Sequence, residues 1–269
     1  MQSPAVTDST ARGPLDGRFE LSEALPHYGY GEAWRGRDLQ VRGRAVVVKR
    51  LAAEHAESPA LAESLRRVKA FRHGATLALL HHGVTDGRPY LVHDFFDGIS
   101  LASALSRAWR EGSLLPRAAL ERLSEKLCAA LEAAHAELPP VVHGSLGTPC
   151  VIVRLGAPQQ VDLRVVDFGI APYVEPPDES TEATAHRVTK TTAGDVLALA
   201  RVIRALCAAP AERGQAPPAP GLDWRRDDIP EAVWKALTRA MSPQADARFA
   251  AERRMWIDAV TATGAKDGG

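Results

Sequence analysis

Hydrophobic positions recur along this chain with two different periods. From residue 18 to about residue 97 the apolar residues alternate or run in short blocks, the pattern of strands. Phe19-Glu20-Leu21 opens one strand, and Ala45-Val46-Val47-Val48 is a short, mostly β-branched run that predicts another. Between them Tyr28-Gly29-Tyr30-Gly31 marks a turn. Ser58-Pro59 predicts a helix start, with serine as N-cap and proline at the first helical position, and Leu61, Leu65 and Val68 follow at helical spacing. The segments 77–85 and 88–93 flank Asp86-Gly87, a strong hairpin signal.

Beyond Gly98 the period lengthens to that of helices. Residues 101–110 and 117–138 are amphipathic, the second carrying Leu120, Leu123, Leu127, Leu131 and His135. A further hairpin sets Val151-Ile152-Val153 against the alternating Val161, Leu163 and Val165. Residues 172–193 are rich in Pro, Glu and Thr and read as an exposed loop. Helices are expected at 194–208, 230–241 and 247–261, with a Pro-rich link at 209–221. The organisation predicted is a tail at 1–17, a small β-rich lobe at 18–98, a larger helical lobe at 99–262 and a short tail at 263–269. No internal repeat is visible.

Composition narrows the function classes. The 269 residues carry 33 Lys+Arg against 33 Asp+Glu, so the net charge is zero, which argues against a general nucleic-acid binder. No stripe of basic and aromatic residues appears either. Cys128, Cys150 and Cys207 are too few and too scattered for a disulfide framework or a zinc site. No 18-residue apolar run predicts a membrane span, and MQSPAVTDST lacks the basic and apolar stretches of a signal peptide. A cytoplasmic protein is expected.

Candidate chemistry lies in a series of short signals in fixed order. They are the glycine turn, Val46-Val47-Val48-Lys49, Asp94 after a hairpin, His143, Asp167-Phe168-Gly169, Asp195 and Arg248. In that order and spacing the sequence resembles the protein kinase family, particularly its bacterial Ser/Thr branch, from about residue 18 to residue 260. The resemblance implies an α+β, bilobal kinase-like fold with a small β-rich N-lobe and a larger helical C-lobe. It also implies the parts that move a phosphoryl group: a glycine loop, a lysine, a metal-holding carboxylate, a metal-holding Asn and an Asp base.

Those parts fare unevenly. Gly29 and Gly31 remain in the glycine loop, but Pro26 and Tyr28 stand where the first two motif glycines would, and Tyr28 is expected to fill space meant for phosphates. Lys49 matches the family lysine. Its glutamate partner on the following helix is expected at Ser64, and the neighbouring Glu63 should point about 100° away. Val47 narrows the adenine slot, His93 stands at the gatekeeper position, and Asp94 to Phe96 match the linker whose backbone would hold adenine. By resemblance Asp167 would hold the metal ion; the alternative is a buried carboxylate satisfied by Lys49 or backbone N–H groups.

The catalytic loop departs furthest. His143-Gly144-Ser145-Leu146-Gly147-Thr148-Pro149-Cys150 places Ser145 at the base, Gly147 at the catalytic-loop lysine and Cys150 at the metal-binding Asn. A missing general base alone costs about 10²–10⁴ in rate. A thiol is a poor ligand for the hard Mg²⁺ ion. His143, Phe168, Asp195 and Arg248 are expected in structural roles, with His143 supporting Phe168. No Ala-Pro-Glu follows the Asp-Phe-Gly.

The expectation is therefore a pseudokinase, acting through another signalling protein such as an active Ser/Thr kinase and touching no nucleic acid. It requires no cofactor, and its affinity for ATP with Mg²⁺ or Mn²⁺ is expected to be weak or absent. The alternative, an ATP-binding enzyme with residual or non-standard phosphoryl or nucleotidyl transfer, rests on Lys49 and Asp167.

Overall fold

The computed structural model describes residues 13–26, 28–29, 32–156, 160–170, 173, 191–208 and 227–241. Its first part is an antiparallel sheet of five strands: β1 (Phe19–Ala24), β2 (Glu32–Asp38), β3 (Arg44–Arg50), β4 (Leu79–Thr85) and β5 (Arg88–Asp94), in the order β1-β2-β3-β5-β4. The helix α1 (Pro59–Ala70) lies between β3 and β4 in sequence.

β3 sits mid-sheet because its valines can be buried on both faces. Val46 and Val48 pack on one face with Phe19, Tyr90 and Val92. The two-residue period turns Val47 to the opposite face, with Ala33 and Tyr28, and turns Lys49 the same way. The hairpin between β4 and β5 turns at Asp86 and Gly87, both with positive φ (50° and 72°), as its Asp-Gly sequence predicts.

In α1 the Ser58 hydroxyl accepts the Leu61 N–H at 3.2 Å, and Leu61, Leu65 and Val68 are its buried face.

The second part is helical. Its elements are α2 (Leu101–Arg110), α3 (Arg117–Ala136), α4 (Thr192–Cys207) and α5 (Glu231–Ala240), with a small sheet of β6 (Ile99–Ser100), β7 (Val151–Arg154) and β8 (Asp162–Val165) facing the cleft. The leucines of α3 pack with Leu199, Val202, Ile203 and Leu206 of α4 in one continuous core, which also reaches Leu65, Val68 and Leu79 of the first part. Backbone bonds join the parts as well: Val165 donates to Ala75 C=O at 2.7 Å, and Leu77 donates to Val165 C=O at 3.4 Å.

The elements depart from the hydrophobic pattern mainly at their ends. α3 stops at Ala136, two residues short of the expected end, because the residue before Pro139 is disfavoured in the helical region. α4 begins at Thr192 rather than 194, since the Thr191 hydroxyl caps it by accepting the Gly194 N–H at 3.0 Å. Strand β4 begins at Leu79 rather than 77, because Leu77 bonds to β8 instead. The expected helix at 247–261, the link at 209–221 and most of the loop at 172–193 lie outside the described residues.

One buried carboxylate ties the second part together. Asp195, in the first turn of α4, is fully buried and accepts the backbone N–H groups of His143 at 2.7 Å and Gly144 at 2.8 Å. His135 Nε2, from the last turn of α3, lies 2.9 Å from the same carboxylate. Asp195→Ala would strand both N–H groups away from water, at about 1–3 kcal/mol each. Chemical denaturation should show Asp195→Ala destabilised by several kcal/mol, and Asp195→Asn, which keeps one acceptor, by clearly less.

Candidate functional site

The cleft between the two parts is centred on an ion pair. Lys49 Nζ lies 2.5 Å from Asp167 Oδ1, and both side chains are almost wholly shielded from solvent. β3 directs the lysine inward; Asp167 follows β8 in the left-handed region, with φ 68°. The Cys150 thiol lies 3.9 Å from Asp167 Oδ2.

Gly29 closes over this pair. Its φ is +80°, and a β-carbon there would overlap Asp167 Oδ2 and lie 2.7 Å from Lys49 Nζ. Only a glycine can place its backbone so close. Gly31 lies outside the described residues.

These donors do not fit a nucleotide with its magnesium ion. Asp167 is paired to Lys49 and covered by Gly29, and the second metal position presents a buried thiol.

Tyr28 does not lie where the sequence suggested. The expectation placed it among the phosphates; its side chain runs instead along the roof of the cleft to the linker after β5. There its hydroxyl donates to Phe96 C=O at 3.1 Å and accepts Phe96 N–H at 3.3 Å. Its ring is buried, stacks beside Phe95 with centroids 6.5 Å apart, and packs with Val47, Ile152 and Val166. The sequence carries no signal for this destination, because the partner, Phe96, lies 68 positions along the chain. The linker's Asp94 turns its carboxylate outward, to Arg44 at 2.7 Å.

Ser64 of α1 makes no bond to Lys49. It donates to the Gly169 carbonyl, tying α1 to the Asp-Phe-Gly segment. Glu63, one residue earlier, pairs on the surface with Arg66 and Arg67, where the rotation of a helix puts it. Phe168 lies between Phe71 (ring centroids 5.7 Å apart) and His143 (4.9 Å), and His143 Nε2 bonds the Val166 carbonyl at 2.9 Å. In the catalytic loop, Gly147 is extended (φ −156°, ψ 171°), a conformation open to any residue, so no backbone demand explains a glycine there. Arg248 lies outside the described residues.

His93, on β5 behind the ion pair, is buried, and neither ring nitrogen makes a hydrogen bond of ordinary geometry. Burial pushes its pKa down from 6.5 to about 4; Asp167 pulls the other way, and Lys49 adds to the drop. His143 is shifted down too, chiefly by burial, with Asp195 and Asp167 opposing.

The five-stranded sheet, the helical second part and a cleft holding a lysine against an Asp-Phe-Gly aspartate define a protein-kinase-like fold. In sequence the chain is similar to Ser/Thr protein kinases. It is 31% identical over 166 residues to the serine/threonine-protein kinase pkn2 of Myxococcus xanthus, covering 60% of this chain and 19% of that protein. It is 30% identical over 193 residues to the CBL-interacting protein kinase 22 of Oryza sativa subsp. japonica, covering 65% of this chain and 41% of the relative. The chain thus spans less than half of these curated relatives. The crystal structure of the Mycobacterium tuberculosis PknI kinase domain superposes with a TM-score of 0.66, covering 91% of this chain and 95% of that one at 21% identity, a likeness of fold. No family model matches the chain.

Two measurements check the energetics of the cleft. Lys49→Met leaves the Asp167 carboxylate buried without its ammonium and should cost about 3–5 kcal/mol, part of which Asp167→Asn in the same chain should restore.

The second follows from His93. Its folded-state pKa lies below the unfolded value, so as the pH falls the unfolded chain takes up the proton first. The contribution is intact above about 6.5 and declines towards about 4, by up to about 1.4 kcal/mol per pH unit. Denaturation across that window should give a visibly shallower slope for His93→Leu than for the wild type.

Proposed function

We propose that the chain is a catalytically inactive kinase-like module that acts in signalling by binding another signalling protein, an active Ser/Thr kinase being one candidate partner. The observation that carries this reading is the content of the cleft: the position of the base is Ser145, the metal position is Cys150, and the slot for the base of a nucleotide holds Tyr28. A serine hydroxyl near neutral pH takes no proton from an incoming alcohol, and Gly147 offers no charge to a phosphoryl group in flight. Ser64 offers Lys49 no carboxylate, so the lysine's ionic partner is Asp167.

Nucleotide binding belongs to the same reading: weak or absent, with no cofactor required. The competing idea, residual phosphoryl or nucleotidyl transfer, is supported by the presence of Lys49 and Asp167. Their mutual pairing under Gly29 argues against it.

Incubation with labelled ATP and Mg²⁺ or Mn²⁺ should give no transfer to the chain itself or to a panel of Ser/Thr peptides. Ser145→Asp alone should remain silent, since the metal position and the helix glutamate are still missing. Transfer by the wild type that disappears in Asp167→Ala would overturn the proposal.

A further inference from the structure

Three observations meet at Tyr28. Its hydroxyl satisfies both main-chain polar groups of Phe96, a residue 68 positions along the chain. Its ring is enclosed by residues from both parts of the fold: Ala33 and Val47 from the first sheet, Cys150, Ile152 and Val166 from the second part. The next residue, Gly29, lies against the Lys49–Asp167 pair. Two consecutive residues therefore fill both ends of the cleft, one at the linker and one at the ion pair.

We propose that Tyr28-Gly29 is a tethered ligand of the chain's own cleft, holding the two lobes together with no small molecule. A phenol hydroxyl is donor and acceptor at once, so it can meet an N–H and a C=O of one residue simultaneously. Burial holds the hydroxyl's pKa well above its ordinary value, so it stays protonated and keeps its donor. The tether supplies the occupant at the high effective concentration of an intramolecular contact. A soluble competitor meets only the fraction of molecules in which the strap has lifted. If about 1% are open, its apparent affinity falls about 100-fold.

The ligand that lifting Tyr28 would admit is a flat heterocycle with neighbouring donor and acceptor atoms, and adenosine serves as the probe. It carries no phosphate, so Lys49 and Asp167 do not contribute to its capture. The inference goes beyond catalytic inactivity. Turnover of ATP would sink the inactive reading, whereas failure here would leave Ser145 and Cys150 as they are.

Two readouts test it on the full chain. In amide hydrogen exchange the Phe96 N–H should be protected in the wild type and exchange about tenfold faster in Tyr28→Phe, which keeps the ring but removes the acceptor. In thermal melting, millimolar adenosine should not move the wild type, while Tyr28→Ala should melt lower without ligand and be raised by adenosine. Equal exchange at Phe96 in the wild type and Tyr28→Phe would overturn the proposal. So would a wild type raised by adenosine as much as Tyr28→Ala. If Tyr28→Ala does not fold, the exchange comparison with Tyr28→Phe decides alone, because that variant preserves the packing.

Discussion

An ammonium and a carboxylate withdrawn together from water set the conditions for everything around them. Neither Lys49 nor Asp167 tolerates burial alone, and even as a pair their desolvation is offset only by close contact and good geometry. At 2.5 Å the contact is close, and the environment keeps it so. Gly29 covers it from above, the Cys150 thiol adds a polar neighbour, and Val166 seals one side. Since Lys49 belongs to the central strand of the first sheet and Asp167 follows a strand of the second, closing the pair closes the cleft.

A second anchor acts from below. Asp195 fixes the backbone of His143 and Gly144, His143 carries the ring against Phe168, and Phe168 meets Phe71 just past α1. Val68 and Ser64 of α1 then meet Gly169 from the same side. This stack runs from α4 to α1 and holds the segment that carries Asp167. The ion pair and the stack position the same three residues, Asp167 to Gly169, from opposite directions, which explains how two left-handed residues, Asp167 (φ 68°) and Gly169 (φ 65°), are held so near one another.

Much of this arrangement is legible in the sequence because it depends on local periods. The alternation in β3 alone puts Lys49 on the same face as Val47, and helical rotation alone separates Ser64 from Glu63. The cap at Ser58 and the Asp-Gly turn are likewise local rules. The destination of Tyr28 is not local: its partner lies 68 residues away, and the identity of a side chain does not say which end of a slot it enters. The surroundings of the buried His93 ring are hidden for the same reason. A strand pattern predicts burial of a position, but whether a buried ring finds a hydrogen bond depends on neighbours brought in from elsewhere.

Which family residues are kept and which are replaced follows a physical division. Lys49, His143, Asp167, Phe168 and Asp195 are all buried and all engaged with other parts of the chain. Removing any of them would strand a charge, a pair of N–H groups or a void, so each stabilises the fold whether or not a reaction occurs. In the catalytic loop the positions that differ are Ser145, Gly147 and Cys150, where the residues of the resembling kinases would face a substrate or a metal ion. Cys150 shows the substitution most plainly. It is wholly buried, in the same apolar cluster as Tyr28, Val47 and Ile152, and its thiol reaches the Ser145 carbonyl at 3.8 Å and Asp167 Oδ2 at 3.9 Å. A cleft filled from within thus favours an apolar floor over a hydrated one, and Tyr28 and Cys150 share one packing solution.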